Sequence, residues 1–453
     1  MSDRYFSPQP NVPGKGIVAS YGLGFWALVL VIGIVSGLGG AALMELLKAL
    51  QHLAWSYHTG TFLDAVKAVS AAHIVLVLFI AGVIAGVGAL VLKRLRGFGG
   101  GEVSEAIWLQ DGRLGLWPSL GRSILSIVVV AFGASLGREA APQLTGAAVA
   151  SGLCDRLGVP RWQRRLLVAC GAGAGMAAVY NVPLGGALFA LEVLLGTVTL
   201  PLVLPALVTC ASATVVAWIA LPNTPIYTVP SFGVSASQFV WAAIIGPLAG
   251  LAAVGWARLI ARVHRLRPVG RGRLFAPIVV LTALGIVAIP YPELLGNGQD
   301  TVQLAVAGRL AVGLMAILCV LKPLMTAACL GSRTPGGLFT PTLMYGVLFG
   351  EVLGHAWTVV WLGAPAGSFG LIGGAAVLAA SMQAPLAAVV LILELAHYTD
   401  TLIAPVLVAV AGATIIARRL GAPSIYSARL DESARALAHE EREPADSVHA
   451  ATN

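Results

Sequence analysis

Long apolar runs dominate this chain. Phe25–Leu43 and Ile74–Leu92 are rich in Ala, Leu, Val and Gly and lack a regular alternation of polar with apolar residues. Runs of that length predict membrane-crossing helices of about 20 residues rather than the short alternating strands of a membrane β-barrel. Other runs fall short of a full crossing: Ala141–Leu153, Val182–Leu195, Pro341–Leu353 and Ala384–Ala396 each hold roughly 13 residues. Broken helices are tolerated inside a bilayer only where their free backbone groups face protein or a polar cavity. These segments are therefore expected to be half-crossing helices around a buried pathway.

The pattern also repeats. Ala177-Ala178 through Pro183-Leu184 to Leu191-Glu192 matches Ala379-Ala380 through Pro385-Leu386 to Leu393-Glu394, with six identities at an offset of 202. Upstream, Gly137, Pro142 and Leu144 match Gly336, Pro341 and Leu343 at an offset of 199. Two matches in the same order predict duplicated halves.

Loop charge gives their sense. The link after the first long helix, residues 54–72, carries the basic residue Lys67, whereas its counterpart carries Arg262, Arg265, Arg267, Arg271 and Arg273. The next pair reverses: Lys93, Arg94 and Arg96 in the first half face the neutral-to-acidic Tyr291–Asp300 in the second. Positive loops favour the cytoplasm, so the halves are expected to be inverted relative to one another. The expected layout is a first membrane repeat at 19–225 and a second at 226–430, ending in the segment that carries Tyr426. Polar tails at 1–18 and 431–453 flank them, with no room for a regulatory C-terminal domain. Residues 1–18, with Pro8, Pro10 and Pro13, have neither the apolar core nor the cleavage site of a signal peptide. Both termini are assigned to the cytoplasm of a multi-pass inner-membrane protein.

Composition agrees, with 58% hydrophobic and 11% charged residues and a mean hydropathy of +0.87; water cannot be the solvent of most of such a surface. The net charge of +8 comes mainly from arginines between the apolar runs, without the basic-aromatic alternation of a nucleic-acid binder. Cys154, Cys170, Cys210, Cys319 and Cys329 lie in apolar stretches without metal-ligand spacing, so no disulfide, metal or other cofactor is expected. Nor is enzymatic chemistry. Gly133-Ala-Ser135-Leu-Gly137 has the spacing of a hydrolase elbow but follows the apolar run Ile124–Phe132 instead of a strand. Gly171-Ala-Gly173-Ala-Gly175 suits close packing of membrane helices better than a nucleotide loop.

Two segments point to anion chemistry. Gly137-Arg138-Glu139-Ala140-Ala141-Pro142 places a proline where a helix would begin and leaves backbone N–H groups without intrahelical partners. Gly336-Gly337-Leu338-Phe339-Thr340-Pro341 has the same build, with Thr340 able to cap and Pro341 starting the helix. Free N–H groups at helix starts hold anions, and two starts meeting near the midplane would make one site. Glu139 can compete with the anion when ionised and leave when protonated, which makes it a gate and a candidate proton carrier. Its alternative role is to pair with Arg138 or cap the helix. Glu192 and Glu394, equivalent by the repeat, are expected to serve packing or hydrogen bonding. Tyr426 follows the last span, where its hydroxyl can reach inward to donate to an anion or its ring can anchor at the interface.

These motifs resemble the CLC family of chloride channels and proton/chloride exchangers. Its patterns GREGP, GGIFAP and a late Leu-Tyr-Ser-Ala are similar to Gly137–Pro142, Gly336–Pro341 and Ile425–Ala428, in order, between about residues 20 and 430. The resemblance implies an all-α integral membrane fold of the CLC type, an inverted repeat of tilted and broken helices, forming a homodimer with one anion path per subunit. Chloride would be the usual substrate, with protons as a second one in exchangers. It implies that Glu139 is the gate, that the outer anion site uses N–H groups around Arg138–Ala140 and Phe339–Thr340, and that the central site uses Gly337-Leu338, Phe339 and the Tyr426 hydroxyl. Gly101 stands where the family's anion-coordinating serine would be, Val193 where exchangers often carry an internal proton-relaying glutamate, and Ala140 where the pattern has Gly. Channel and exchanger both stay open. The rival is a transporter of an organic anion on another inverted-repeat fold.

Overall fold

The computed structural model describes residues 21–92, 102–230, 233, 235–361, 367–397 and 401–430. The tails 1–18 and 431–453, Gly101 and the basic residues Lys93, Arg94 and Arg96 lie outside the described residues.

The described chain is helical. Its first half runs α1 (Leu23–Trp55), α2 (Phe62–Ala68), α3 (Ala71–Leu92), α4 (Val103–Leu109), α5 (Leu116–Ala131), α6 (Ala140–Arg156), α7 (Arg161–Tyr180), α8 (Pro183–Leu188), which continues as a π-helical turn over Phe189–Leu194, and α9 (Leu200–Ala217). The second half runs α10 (Ala236–Arg265), α11 (Gly272–Ala288), α12 (Gln299–Val306), α13 (Val312–Gly331), α14 (Phe339–Val360), α15 (Ser368–Met382), α16 (Pro385–Ala396) and α17 (Ile403–Arg419). Apart from α2, each element of the first half has a counterpart in the second, in the same order. Six described helices, α1, α3, α9, α10, α13 and α14, are long and apolar enough to cross a membrane. Leu30, Val31, Ile34, Val35 and Leu38 of α1 are among many large apolar side chains exposed on the outside, as a hydrocarbon solvent requires.

The equivalence extends to how helices end. α7 and α15 both stop at a residue in the left-handed region, Asn181 (φ 56°) and Gln383 (φ 59°). Pro183 and Pro385 then begin the next short helices, α8 and α16. A left-handed residue ends a helix by redirecting the chain, and proline is free to start one because its missing N–H would have no partner there.

Inversion is visible in which loops meet. Lys67, in the link after α1, pairs with Glu293, in the link after α11, at 2.8 Å. Asp300, also after α11, accepts from the Leu63 N–H at 3.0 Å. Loops that are not equivalent by sequence thus share one face, as inverted halves demand.

Small residues set the packing. A Cβ on Gly146 of α6 would come within 2.0 Å of the Gly171 carbonyl of α7, and one on Gly350 of α14 within 2.4 Å of the Phe369 carbonyl of α15. Membrane helices gain contact this way because lipid offers no hydrophobic drive between them. The glycines at 171, 173 and 175 pack against Gly146, Gly186 and Pro142, respectively.

Three of the four segments expected to be half-crossing are indeed short, and one is not. The α8–π segment and α16 each span 12 residues and α6 has 17. The run Pro341–Leu353, by contrast, belongs to α14, whose 22 residues suffice for a crossing. The apolar run ends where polar residues enter, yet the helix continues because they bond within it: His355 Nδ1 lies 2.9 Å from the Glu351 carbonyl and the Thr358 hydroxyl donates to the His355 carbonyl at 2.7 Å.

A candidate anion site where the two repeats meet

The two segments singled out in the sequence touch. Gly137 and Gly337 exchange backbone hydrogen bonds, N–H to carbonyl, at 2.8 Å in each direction. This small antiparallel bridge brings the starts of α6 and α14 together from opposite repeats. Both helices begin two residues before their prolines, so Pro142 and Pro341 occupy the third helical position. The N–H missing there is one that a helix start leaves unpartnered anyway. Thr340 consequently lies inside α14 and does not cap it; Leu338 holds the cap position without a side-chain bond.

Glu139, 1% exposed, does not pair with Arg138. Its carboxylate crosses to the other repeat and accepts from the Phe339 N–H at 2.7 Å; the Thr340 hydroxyl lies 3.4 Å from it and the Tyr180 hydroxyl, from its own repeat, 3.2 Å. Its own backbone N–H also faces the carboxylate. Tyr180 and Thr340 lie 2.7 Å apart, and with one proton each, one hydroxyl donates to the carboxylate while the other donates to its neighbour. Glycine makes the room: a Cβ on Gly337 would meet Glu139 Oε1 at 1.8 Å and one on Gly137 would meet Oε2 at 2.1 Å. A carboxylate received by an N–H at a helix start and a hydroxyl occupies a place built for a negative charge. Of the N–H donors expected around Arg138–Ala140 and Phe339–Thr340, those of Phe339 and Glu139 itself meet the carboxylate.

Cavities approach from two sides. A narrow one of about 40 Å³ is lined by Glu139, Ala140, Gly337, Leu338, Tyr426 and the charged residues Glu102, Arg122 and Arg429. The Tyr426 ring, 8% exposed, packs edge-on against Phe189 at 5.6 Å. Its segment is anchored by the Ile425 N–H on the Ser381 carbonyl of α15 at 2.9 Å. On the other side, a polar cavity of about 280 Å³ is lined by Arg138, Asp300, Gln51 and Asn297 among others. The Arg138 guanidinium stands 5.2 Å from the centre of the Tyr180 ring, a favourable cation–π position. From cavity to cavity the order is Arg138, Tyr180, Glu139, Tyr426.

Tyr180 escaped the sequence reading, although it sits inside the repeated motif. The available signal was the mismatch there: Tyr180 is equivalent to Met382, so a hydroxyl occurs in one half alone. Arg122 and Arg429 carried no motif. Three further charged residues in apolar stretches make contacts away from this site: Glu45 pairs with Lys48 at 2.7 Å on the exposed side of α1, Glu351 accepts from the Gly370 N–H at 2.6 Å, and Lys322 donates to the carbonyls of Leu294 and Gly296 at 3.1 and 2.9 Å. Glu192 and Glu394 make the expected hydrogen bonds in a reciprocal manner. Glu192 accepts from the N–H groups of Leu386 and Ala387 at 3.2 and 2.6 Å. Glu394 accepts from those of Leu184 and Gly185 at 3.0 and 2.6 Å.

Inverted helical repeats in a membrane, with helix starts converging on a buried carboxylate between two cavities, define a protein class that handles small anions. The chain belongs to the CLC family: the family model described as voltage gated chloride channel matches residues 81–418. It is 31% identical over 410 residues to the voltage-gated ClC-type chloride channel ClcB of Salmonella typhimurium, covering 88% of this chain and 97% of that protein. It is 33% identical over 353 residues to a putative chloride channel protein, ClcB-like, of Ralstonia nicotianae, covering 75% and 81%. Its fold matches a slow cyanobacterial Cl-/H+ antiporter with a TM-score of 0.79 at 19% identity, over 94% of this chain and all (100%) of the other. A CLC-type fluoride/proton antiporter matches with a TM-score of 0.73 at 20% identity, over 90% and 97%.

Proposed function

We propose that this protein moves chloride or a similar small inorganic anion across the membrane, with Glu139 as the gate. The observation that carries this reading is the place of the Glu139 carboxylate, at the Phe339 N–H and beside the linked hydroxyls of Tyr180 and Thr340. A permeating anion takes the same donors when Glu139 is protonated and withdraws. Leu338, Gly337 and Tyr426 line the approach on one side, and Arg138 draws anions into the cavity on the other. The small donor set favours an inorganic ion over an organic one.

The repeats are assigned to residues 19–225 and 226–430. The Tyr426 side is assigned to the cytoplasm, since Arg262 and Arg265 in the last turn of α10 and Arg418 and Arg419 in that of α17 follow the positive-inside pattern. Both tails are placed on that side. The working form is taken to be a homodimer with one path per subunit, as membership of the CLC family suggests.

The test is anion flux from chloride-loaded liposomes containing purified protein, with an internal pH dye and the membrane potential clamped by potassium and valinomycin. Chloride efflux supports the reading, and a loss of efflux in favour of fluoride, nitrate or an organic anion redirects it. Efflux that drives protons uphill makes the protein an exchanger in which another group replaces Val193. Efflux without proton movement makes it a channel or an uncoupled carrier.

A further inference from the structure

Glu102 stands at the residue before α4, without a side-chain bond to that helix, and lines the narrow cavity together with Tyr426 and Glu139. Its Oε1 accepts from the guanidinium of Arg429, in the turn after α17, and from that of Arg122, on α5, at 3.3 Å. These arginines come from opposite repeats, as the donors to Glu139 do. Behind them stand Arg267, which donates to the Leu330 carbonyl at 3.2 Å, and His264. The other nearby acid, Glu105, lies one turn along α4 and accepts from Gln110 at 3.5 Å. Around Glu102 itself Arg122, Arg429, Arg267 and His264 thus gather, and Arg122 and Arg429 line the same cavity as Glu139.

We propose that Glu102 is a second tethered carboxylate of the anion path, occupying an anion site made by Arg122 and Arg429 from which a permeating inorganic anion displaces it. The inference rests on the anion-transport reading above. Guanidinium groups bind a carboxylate and a free anion by the same charge-assisted hydrogen bonds. A tethered carboxylate competes through its high local concentration. The cluster also argues against Glu102 as a substitute proton carrier at the position vacated by Val193. Burial pushes its carboxyl up, but the charges of Arg429, Arg122, Arg267 and His264 together outweigh burial and hold it below the usual carboxylate range. A carboxylate so held stays ionised at neutral pH and serves as an anion mimic.

The experiment titrates chloride calorimetrically onto the full-length, detergent-solubilised protein and measures chloride flux in liposomes, for the wild type, Glu102→Gln and Glu102→Asp. Glu102→Gln is expected to bind one further chloride per chain or to bind chloride about tenfold more tightly, a ratio in keeping with the loss of one charged competitor, and to raise flux. Glu102→Asp keeps the charge but draws it back by one methylene, and should gain chloride binding by a smaller factor. If either variant elutes as the wild type does and binds chloride no better, the pair is structural and the proposal is overturned. Wild-type protein that moves no chloride while Glu102→Gln gains a chloride site would sink the transport reading and leave the site standing; wild-type flux without any gain in the variants would do the reverse.

Discussion

Glu139 and the pair Glu192 and Glu394 all reach from one repeat to the start of a helix in the other, yet their surroundings differ. Glu192 and Glu394 each receive two backbone N–H groups, at α16 and α8, and are related by the repeat. Glu139 receives the Phe339 N–H and a side-chain hydroxyl, and a cavity opens beside it. The two-donor carboxylates fasten the halves together, each with a pair of backbone bonds and neither lining the two cavities beside Glu139. Glu139 itself lines the narrow cavity, so an anion arriving there meets the carboxylate directly. The bond type is shared; what differs is that a cavity reaches the Glu139 carboxylate, which is the ground for proposing it as a gate.

The largest expected effect is on the gate. Glu139→Gln should abolish pH gating and any proton linkage: wild-type flux rises as the pH falls and Glu139 takes up a proton, whereas the variant stays flat. Proton flux unchanged in that variant would sink the assignment. The fastening pair should behave in the opposite way. Glu192→Gln or Glu394→Gln is expected to destabilise the protein by about 1.5–3 kcal/mol, the worth of hydrogen bonds to a charged group, with pH gating intact. Thermal unfolding in detergent beside the pH profile of flux checks this; a shifted profile without lost stability would erase the contrast.

Tyr180→Phe sharpens it. Loss of one hydroxyl donor is worth about 1 kcal/mol, so the ionised carboxylate should leave its place some fivefold more readily and flux at neutral pH should rise by a similar factor. Flux equal to the wild type would assign the hydroxyl to Thr340 alone. The smallest change is expected on the far side of the cavity: Tyr426→Ala should weaken discrimination among anions while leaving the pH response in place, read by competition of nitrate and bromide against chloride. Unchanged competition would remove Tyr426 from the anion path.

Much of this protein was legible in its residues. Apolar runs such as Phe25–Leu43 gave helices, because a bilayer forces every backbone group of a lipid-exposed segment to bond within that segment. The repeated Pro-Leu…Leu-Glu motif gave the duplication, and the contrast between Lys67 and the arginines after α10 gave the inversion. Glu139, Phe339 and Thr340 were singled out because an acidic residue and glycines beside a proline have few other uses in such a setting, and the structure brings the three together. The length of α14 was misjudged, since hydrophobicity measures contact with lipid and the helix runs on through His355 and Thr358, which bond to its own carbonyls.

What tertiary structure alone decided is which groups meet across the repeats. That Glu139 turns away from Arg138 toward Phe339, that Tyr180 bonds Thr340, and that Arg122 and Arg429 close on Glu102 are contacts over sequence separations of 200, 160, 20 and 327 residues. Local pattern records the period and polarity of a helix, which its own neighbours fix. The partner of a buried charge is fixed by the packing of two inverted halves, where close-packed glycines set the approach of backbones to within a few tenths of an ångström, and no stretch of sequence carries that distance by itself.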